Sequence, residues 1–446
     1  MAEEATARIP PAAIDAATDI GAELERRRQA AAERWNLDNE LVLVGAGDKI
    51  PIPGRGDLTY PFRAHSEYFY LTDRQRPGGV LAFDPHEGWV EFVKPVTRDE
   101  RLWEGATPDA EAHSVPVGEL PRWLEQRTDR PVVCLGAPVP NVSSVAELEV
   151  ELRYALNDVR RRKDAVELTR MRRAEQATSA GFAAILPLLE AGRSEREIQI
   201  ELEAEFFRNG ADAVAFDTIV GGGPNTAVLH CPPTARRFQE GELVLIDAGA
   251  EIRGYASDIT RTYVVGGRFS VEQKELHAIV RAANAAATER CSVGTEWREV
   301  HRAAAFVIAE GLAAFGLLRG EPETLVEQGA QSVFFPHGIG HMIGLGVRDA
   351  GGALPGREPD PDAFPRLRVD LPLLSGYAMT VEPGIYFVPA LLHDREFRER
   401  HRDAVDWDRA EAMVDLGGIR IEDNVLVTAD GPEVLTANVP HTEATG

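Results

Sequence analysis

"VLIDAGAEIRGYASDITRTYVV", residues 244–265, is the stretch whose reading decides the fold. Two runs rich in Val, Ile, Thr and Tyr flank a turn near Glu251–Gly254, the pattern of a β-hairpin. Folded symmetrically about Ile252–Arg253, the hairpin places Asp247 opposite Asp258. Like charges facing each other across a ladder destabilise it. Flanked by Ile246 and Ile259, both carboxylates also lose hydration. Two readings stand. Either one aspartate belongs to a turn and the other to a solvated edge, or a cation neutralises both.

The surroundings give this hairpin a domain. Asp164 with Glu167, Ser194 with Glu197, and Ser270 with Gln273 are capping-box pairs that start helices. The first helix is expected to stop at Gly192 and the second at Gly210. Upstream, residues 12–36 read as an amphipathic helix. "ELVLVGAG", "GGVLAFDP", "GWVEFVKP" and "RPVVCLGAP" read as short strands, with "GELPRWLEQR" helical between them. The expected class is α/β (α+β) in two domains, 1–162 and 163–446, as a length of 446 residues suggests. Residues 351–366 read as a Pro/Gly-rich loop. Residues 388–414 read as a charged, partly helical excursion from the core.

Composition limits the partners. A formal net charge of −24 repels phosphate backbones and anionic lipids, so no nucleic acid and no membrane partner is expected. The basic residues are almost all arginine and are interspersed with acids, so they do not read as a binding patch. Cys134, Cys231 and Cys291 form no CxxC pair, which fits a reducing compartment. There is no secretory pattern at the N-terminus and no apolar run of the ~18 residues that span a bilayer. A cytoplasmic location is the expectation.

Four further stretches bear chemistry. "PHGIGHMIGLGVRD" (336–349) spaces two histidines as a helical zinc motif would. Gly338 stands where that motif needs glutamate, and Gly340, Gly344 and Gly346 disfavour a regular helix. Glycines here instead allow a histidine to approach a buried ion. "GGIRIEDNVLVT" (417–428) reads as one strand with Arg420 and Glu422 on the same face. "TVEPGIYF" (380–387) ends a strand at Glu382. "AVLHCPP" places His230 beside turn chemistry. Each of these alone is compatible with a structural or solvated role.

Their order is another matter. The paired aspartates, "PHGIGH", "TVEPGIY" and "GGIRIEDNV" together resemble the pita-bread dinuclear metallopeptidases of family M24, over roughly residues 165–440. Within that family the chain resembles the prolidase (Xaa-Pro dipeptidase) branch, close to aminopeptidase P. "YPFRAHSEYFYLT" resembles the creatinase/aminopeptidase-P-type N-terminal domain.

The resemblance implies a ligand set: Asp247, Asp258, His341, Glu382 and Glu422, with Asp258 and Glu422 bridging two divalent ions. It implies Mn²⁺, with Co²⁺ or Zn²⁺ as substitutes, and an oxygen-rich donor set agrees with Mn²⁺. It implies catalytic roles for Glu382, His230, His337 and Arg420, with Arg420 orienting Glu422 and Thr260 supporting the carboxylates. His230 and His337 would contact substrate, and Arg368 would grip a proline carboxylate. Arg348 departs from the family pattern, which has histidine there, and would alter the substrate pocket. The implied substrate is an Xaa-Pro dipeptide or a short proline-containing peptide, and the implied assembly is a homodimer. Aminopeptidase P activity on longer peptides is the alternative. A metal-free binding scaffold of the same fold is disfavoured because all five ligands are present.

Overall fold

The computed structural model describes residues 20–105, 114–359 and 366–441. They form two compact units that divide at Arg160/Arg161. The first holds β1 (Leu41–Gly45), β2 (Val80–Asp84), β3 (Gly88–Val93), β4 (Val115–Pro116) and β5 (Val132–Gly136) in one sheet of order β4-β3-β2-β1-β5. Helix α1 covers Ile20–Trp35; the expected residues 12–19 lie outside the described residues. The "GELPRWLEQR" stretch supplies a short helix, Leu120–Glu125.

The second unit contains the hairpin. Its strands are β6 (Ala213–Val214), β7 (Ile219–Gly222), β8 (Leu243–Ala248), β9 (Ala250–Ile252), β10 (Tyr255–Ala256) and β11 (Ile259–Val264). β8 lies between β7 and β11, while β9 lies between β6 and β10. One hairpin thus feeds two small sheets, with the break at Gly249. A Cβ on Gly249 would sit 1.7 Å from the Ser257 carbonyl oxygen, so only glycine lets the two arms cross this closely.

The register differs from the expected one. Thr260, not Asp258, pairs with Asp247. The turn is centred on Arg253–Gly254, both at positive φ (52° and 82°), as a two-residue hairpin turn requires. Glycine fits the second position, and this draws the centre one residue along. Asp258 then sits two residues from Asp247's partner, on the same face and diagonal to it.

Helices cover the strands in two layers. Ala165–Ile185 and Glu195–Arg208 bury Phe182, Ile185, Leu202 and Phe206 against Val244, Ile246 and Ile259. Val271–Glu289 and Trp297–Phe315 bury Val280, Trp297 and Ile308 in a larger core with Val381, Ile385, Ile419 and Val425. All three expected capping boxes form, with both reciprocal hydrogen bonds. The first of these helices ends at Ile185 rather than Gly192. It tightens into a 3-10 turn over Leu186–Leu188, where Pro187 has no N–H to continue the α-helical ladder.

Strands β12 (Gly352–Ala353) and β13 (Val369–Asp370) pair with each other. β14 (Ala378–Val381), β15 (Gly384–Tyr386), β16 (Gly418–Arg420), β17 (Asp423–Thr428) and β18 (Gly431–Val434) complete the unit. "GGIRIEDNVLVT" is therefore two strands, not one. β16 pairs with β15, β17 lies between β14 and β18, and Glu422 stands in the break. Residues 388–414 are not an excursion, since Leu392, Val405 and Ala410 lie in the main core. Of the 351–366 loop, residues 360–365 lie outside the described residues. Among the described residues no helix is long and apolar enough to cross a membrane.

Candidate active site

Alternation along β8 sets the first ligand. Val244 and Ile246 enter the core with Phe182 and Phe206, and Leu245 turns to the other face, beside Ile219 and Tyr386. Asp247 follows Leu245 on that face. Asp258 is placed by its backbone. Its N–H donates to Asn424 Oδ1 (3.1 Å), and Asn424 Nδ2 donates back to the Asp258 carbonyl (2.7 Å). Glu422 is pinned beside β11 by its N–H, which donates to the Thr260 carbonyl (3.0 Å).

The glycine-rich stretch is not helical. Ile339 and His341 instead bond along β14. The N–H of Thr380 donates to the His341 carbonyl, and that of Glu382 to the Ile339 carbonyl, both at 2.8 Å. A Cβ on Gly340 would sit 2.1 Å from the Thr380 carbonyl oxygen, so this approach needs glycine. His341 Nδ1 lies 3.0 Å from the Met342 carbonyl. A carbonyl only accepts, so Nδ1 carries the proton and Nε2 is left with its lone pair.

That lone pair points at carboxylates. His341 Nε2 is 3.3 Å from Asp258 Oδ2 and 3.9 Å from Glu382 Oε1. One ligand atom each from Asp258, His341 and Glu422 lie within 4.8 Å of one another. Asp247 stands beside this trio, with Oδ2 accepting from Arg420 Nη2 at 2.6 Å. Its Oδ1 is buried and meets no hydrogen-bond donor among the described residues.

Electrostatics favour a cation here. Burial, and then the neighbouring Asp247 charge, push the Asp258 carboxyl well above the usual range. Burial, and then Asp258, do the same to Glu422. Burial also raises Glu382 and lowers His341. Four carboxylates around one imidazole lone pair have an excess of negative charge that two divalent ions would balance. The orphaned Asp247 oxygen and the bare His341 nitrogen fit such ions. Oxygen donors with a single imidazole are the chemistry of hard divalent cations.

Arg420 acts differently from the expectation. It does not bond Glu422. Its guanidinium donates to Asp247 Oδ2, to Thr260 Oγ1 (3.0 Å) and to Tyr386 Oη (3.0 Å). Burial opposes its charge, but the facing Tyr386, Asp247 and Glu422 hold it protonated well above the usual range. Thr260 itself donates to Glu422 Oε2 at 2.6 Å. The hydrogen-bond path from Arg420 to Glu422 therefore runs through Thr260.

Tyr386 extends this chain. Its hydroxyl accepts from Arg420 and donates to His337 Nε2 (3.0 Å), since His337 Nδ1 faces the Gly338 carbonyl at 2.9 Å. Burial and then the Arg420 charge lower His337 to about 3, so its ring is neutral at neutral pH. Tyr386 and Asn424 were missed by sequence reasoning. Both lie inside quoted motifs, and only the strand alternation of "GIYF" pointed Tyr386 inward.

Asp247, Asp258, His337, His341, Glu382, Arg420 and Glu422 line one cavity of about 770 Å³. His230, Arg348, Arg366 and Arg368 line it as well. His230 is exposed, and partial burial followed by the Arg420 charge holds it below the ordinary histidine range. Arg348 and Arg368 are also exposed.

Comparison with known proteins agrees with this geometry. Residues 169–429 match the model of metallopeptidase family M24, and residues 24–115 match the aminopeptidase P N-terminal domain. A probable Xaa-Pro aminopeptidase pepP of Botryotinia fuckeliana is 32% identical over 401 residues, 87% of each chain. The structure of Pseudomonas aeruginosa aminopeptidase PepP is 30% identical, with TM-score 0.76, over 97% of this chain and 96% of that one. Escherichia coli aminopeptidase P with the inhibitor Pro-Leu is 28% identical, with TM-score 0.76, over 94% of this chain and 95% of that one.

Proposed function

Because this chain belongs to metallopeptidase family M24, we propose that it is an Xaa-Pro aminopeptidase, removing the first residue from peptides whose second residue is proline. This revises the dipeptidase expectation. The N-terminal domain match and the relatives' names favour the aminopeptidase. The observation that carries the reading is the cavity. Its volume of about 770 Å³ is well inside the ~300–1,000 Å³ range of pockets that enclose drug-sized ligands, and it exceeds the needs of Ala-Pro. Arg348 and Arg368 line the cavity and are exposed, which is compatible with a peptide that continues past proline.

The donor set Asp247, Asp258, His341, Glu382 and Glu422 would hold two divalent ions, with Mn²⁺ the best match to its oxygen character. Bound divalent ions supply activation of water at neutral pH and polarisation of the scissile carbonyl. The chain's own groups supply the rest. Glu382, half-buried and with a raised pKa, accepts a proton from water and returns it to the proline nitrogen, which has no hydrogen of its own. Arg420 holds Asp247 in place, and Thr260 holds Glu422. His230, at the open side of the cavity, is placed to contact the peptide.

The test compares Ala-Pro-Ala with Ala-Pro on Mn²⁺-loaded protein. Release of alanine from the tripeptide at the higher kcat/KM is the expected outcome. Hydrolysis confined to the dipeptide would restore the prolidase reading.

A further inference from the structure

The cavity floor is close to neutral once two divalent ions balance its four carboxylates, and Arg420 is paired with Asp247. The positive charge left over belongs to Arg196, whose hydrogen bonds go to the neutral Gln199 and the Pro233 carbonyl, and to a trio, Arg348, Arg366 and Arg368, all lining the same cavity. None of the trio makes a hydrogen bond or ion pair among the described residues, although the chain carries 72 acidic residues against 48 basic ones. They stand within Coulomb reach of one another. Partial burial and then the charges of Arg348 and Arg366 act to lower the Arg368 pKa, against the pull of Glu382. Unpaired like charges near one another repel, and a bound anion relieves that repulsion beyond what water and salt screen.

The direction of the peptide follows. Its terminal ammonium is a cation and is repelled by this wall. Glu203 and Asp217 also line the cavity and offer the ammonium a favourable side. The segment beyond proline is then the part that meets the arginines. A single C-terminal carboxylate occupies one guanidinium fork. Three unpaired guanidiniums match more negative charge than that.

Resting on the Xaa-Pro aminopeptidase reading, we propose that Arg348, Arg366 and Arg368 form an anion-receiving wall that selects peptides with an acidic residue directly after the proline, Xaa-Pro-Asp or Xaa-Pro-Glu. All three arginines are exposed, so each contact is a partly solvated ion pair rather than a buried one. The preference is therefore moderate and weakens as salt rises.

The experiment uses full-length Mn²⁺-loaded enzyme and five peptides: Ala-Pro-Asp-amide, Ala-Pro-Asn-amide, the same two as free acids, and Ala-Pro-Lys-amide. The amides isolate the side-chain carboxylate, and the free acids add the terminal one. Wild type is expected to favour Asp over Asn in the amides by about three- to tenfold in kcat/KM, mostly through KM. In the double variant Arg348→Gln, Arg366→Gln that ratio falls to about one. Arg366→Glu should shift preference toward Ala-Pro-Lys-amide. A wild-type ratio near one overturns the proposal. So does a ratio that survives the double substitution, and so does a gain that follows only the terminal carboxylate. Calorimetric binding of Pro-Asp-amide and Pro-Asn-amide to the same proteins reads the wall without turnover. Arginine-dependent binding with no hydrolysis of any peptide would retain the wall and remove the aminopeptidase reading. Hydrolysis with no Asp preference in rate or binding would remove the wall alone.

Discussion

Asp258→Ala and Glu422→Ala are each expected to lower kcat/KM on Ala-Pro-Ala by on the order of 10³-fold or more, above the ~10–100-fold typical of outer-shell partners. The two carboxylates offer oxygens that lie with His341 inside a 4.8 Å cluster. Burial and then the Asp247 charge push the Asp258 pKa upward, and burial and then the Asp258 charge push Glu422 upward, which marks a site short of positive charge. Removing either carboxylate relieves that repulsion in the metal-free protein. The variants should therefore fold at least as stably as the metal-free wild type and yet bind less metal. Activity loss with retained or raised thermal midpoint is the signature of a ligand. Near wild-type turnover in both variants would end the dinuclear account.

Arg420→Met is expected to act in the opposite sense on stability. The arginine is buried, and it is the cation bonded to Asp247, Thr260 and Tyr386 at 2.6, 3.0 and 3.0 Å. Removing one partner of a buried ion pair costs about 3–5 kcal/mol, because the remaining charge is stranded. At roughly 2–4 °C per kcal/mol, a figure for domains of 150–250 residues, the melting temperature should drop by about 10 °C. Metal affinity or turnover should fall too, by ~10–100-fold, since Asp247 loses its orientation. Arg420→Lys keeps the charge but lacks the planar fork, so it should recover stability better than activity. A variant Arg420→Met with unchanged melting temperature would show that the pair does not hold the site together.

How much of this was legible in the sequence depends on distance along the chain. The three capping boxes were legible because each is closed by residues three apart. That Asp247 and Asp258 share a face was legible from strand periodicity. Their register was not, because Gly254 and the crossing at Gly249 together set where the turn falls. The break at Glu422 was hidden as well. Its N–H bonds to Thr260, 162 residues earlier, instead of extending a strand. Arg420 and Glu422, two apart, suggested a pair, but the arginine's actual partners lie 34 to 173 residues away. The arginines were read as scattered because they are scattered in sequence. The fold brings Arg348, Arg366 and Arg368 to one cavity wall. Dipeptidase and aminopeptidase share the metal-site motifs, so those motifs fixed the family and left the substrate to the cavity's edge.

The central claim is a two-metal site that cleaves after the first residue of Xaa-Pro peptides. Its most direct measurement is a Mn²⁺ titration of metal-stripped protein, reading bound metal and release of alanine from Ala-Pro-Ala together. The account predicts no release without metal, and activity that saturates as binding approaches two ions per chain. Turnover by the metal-free protein, or saturated binding with no alanine released, would contradict it.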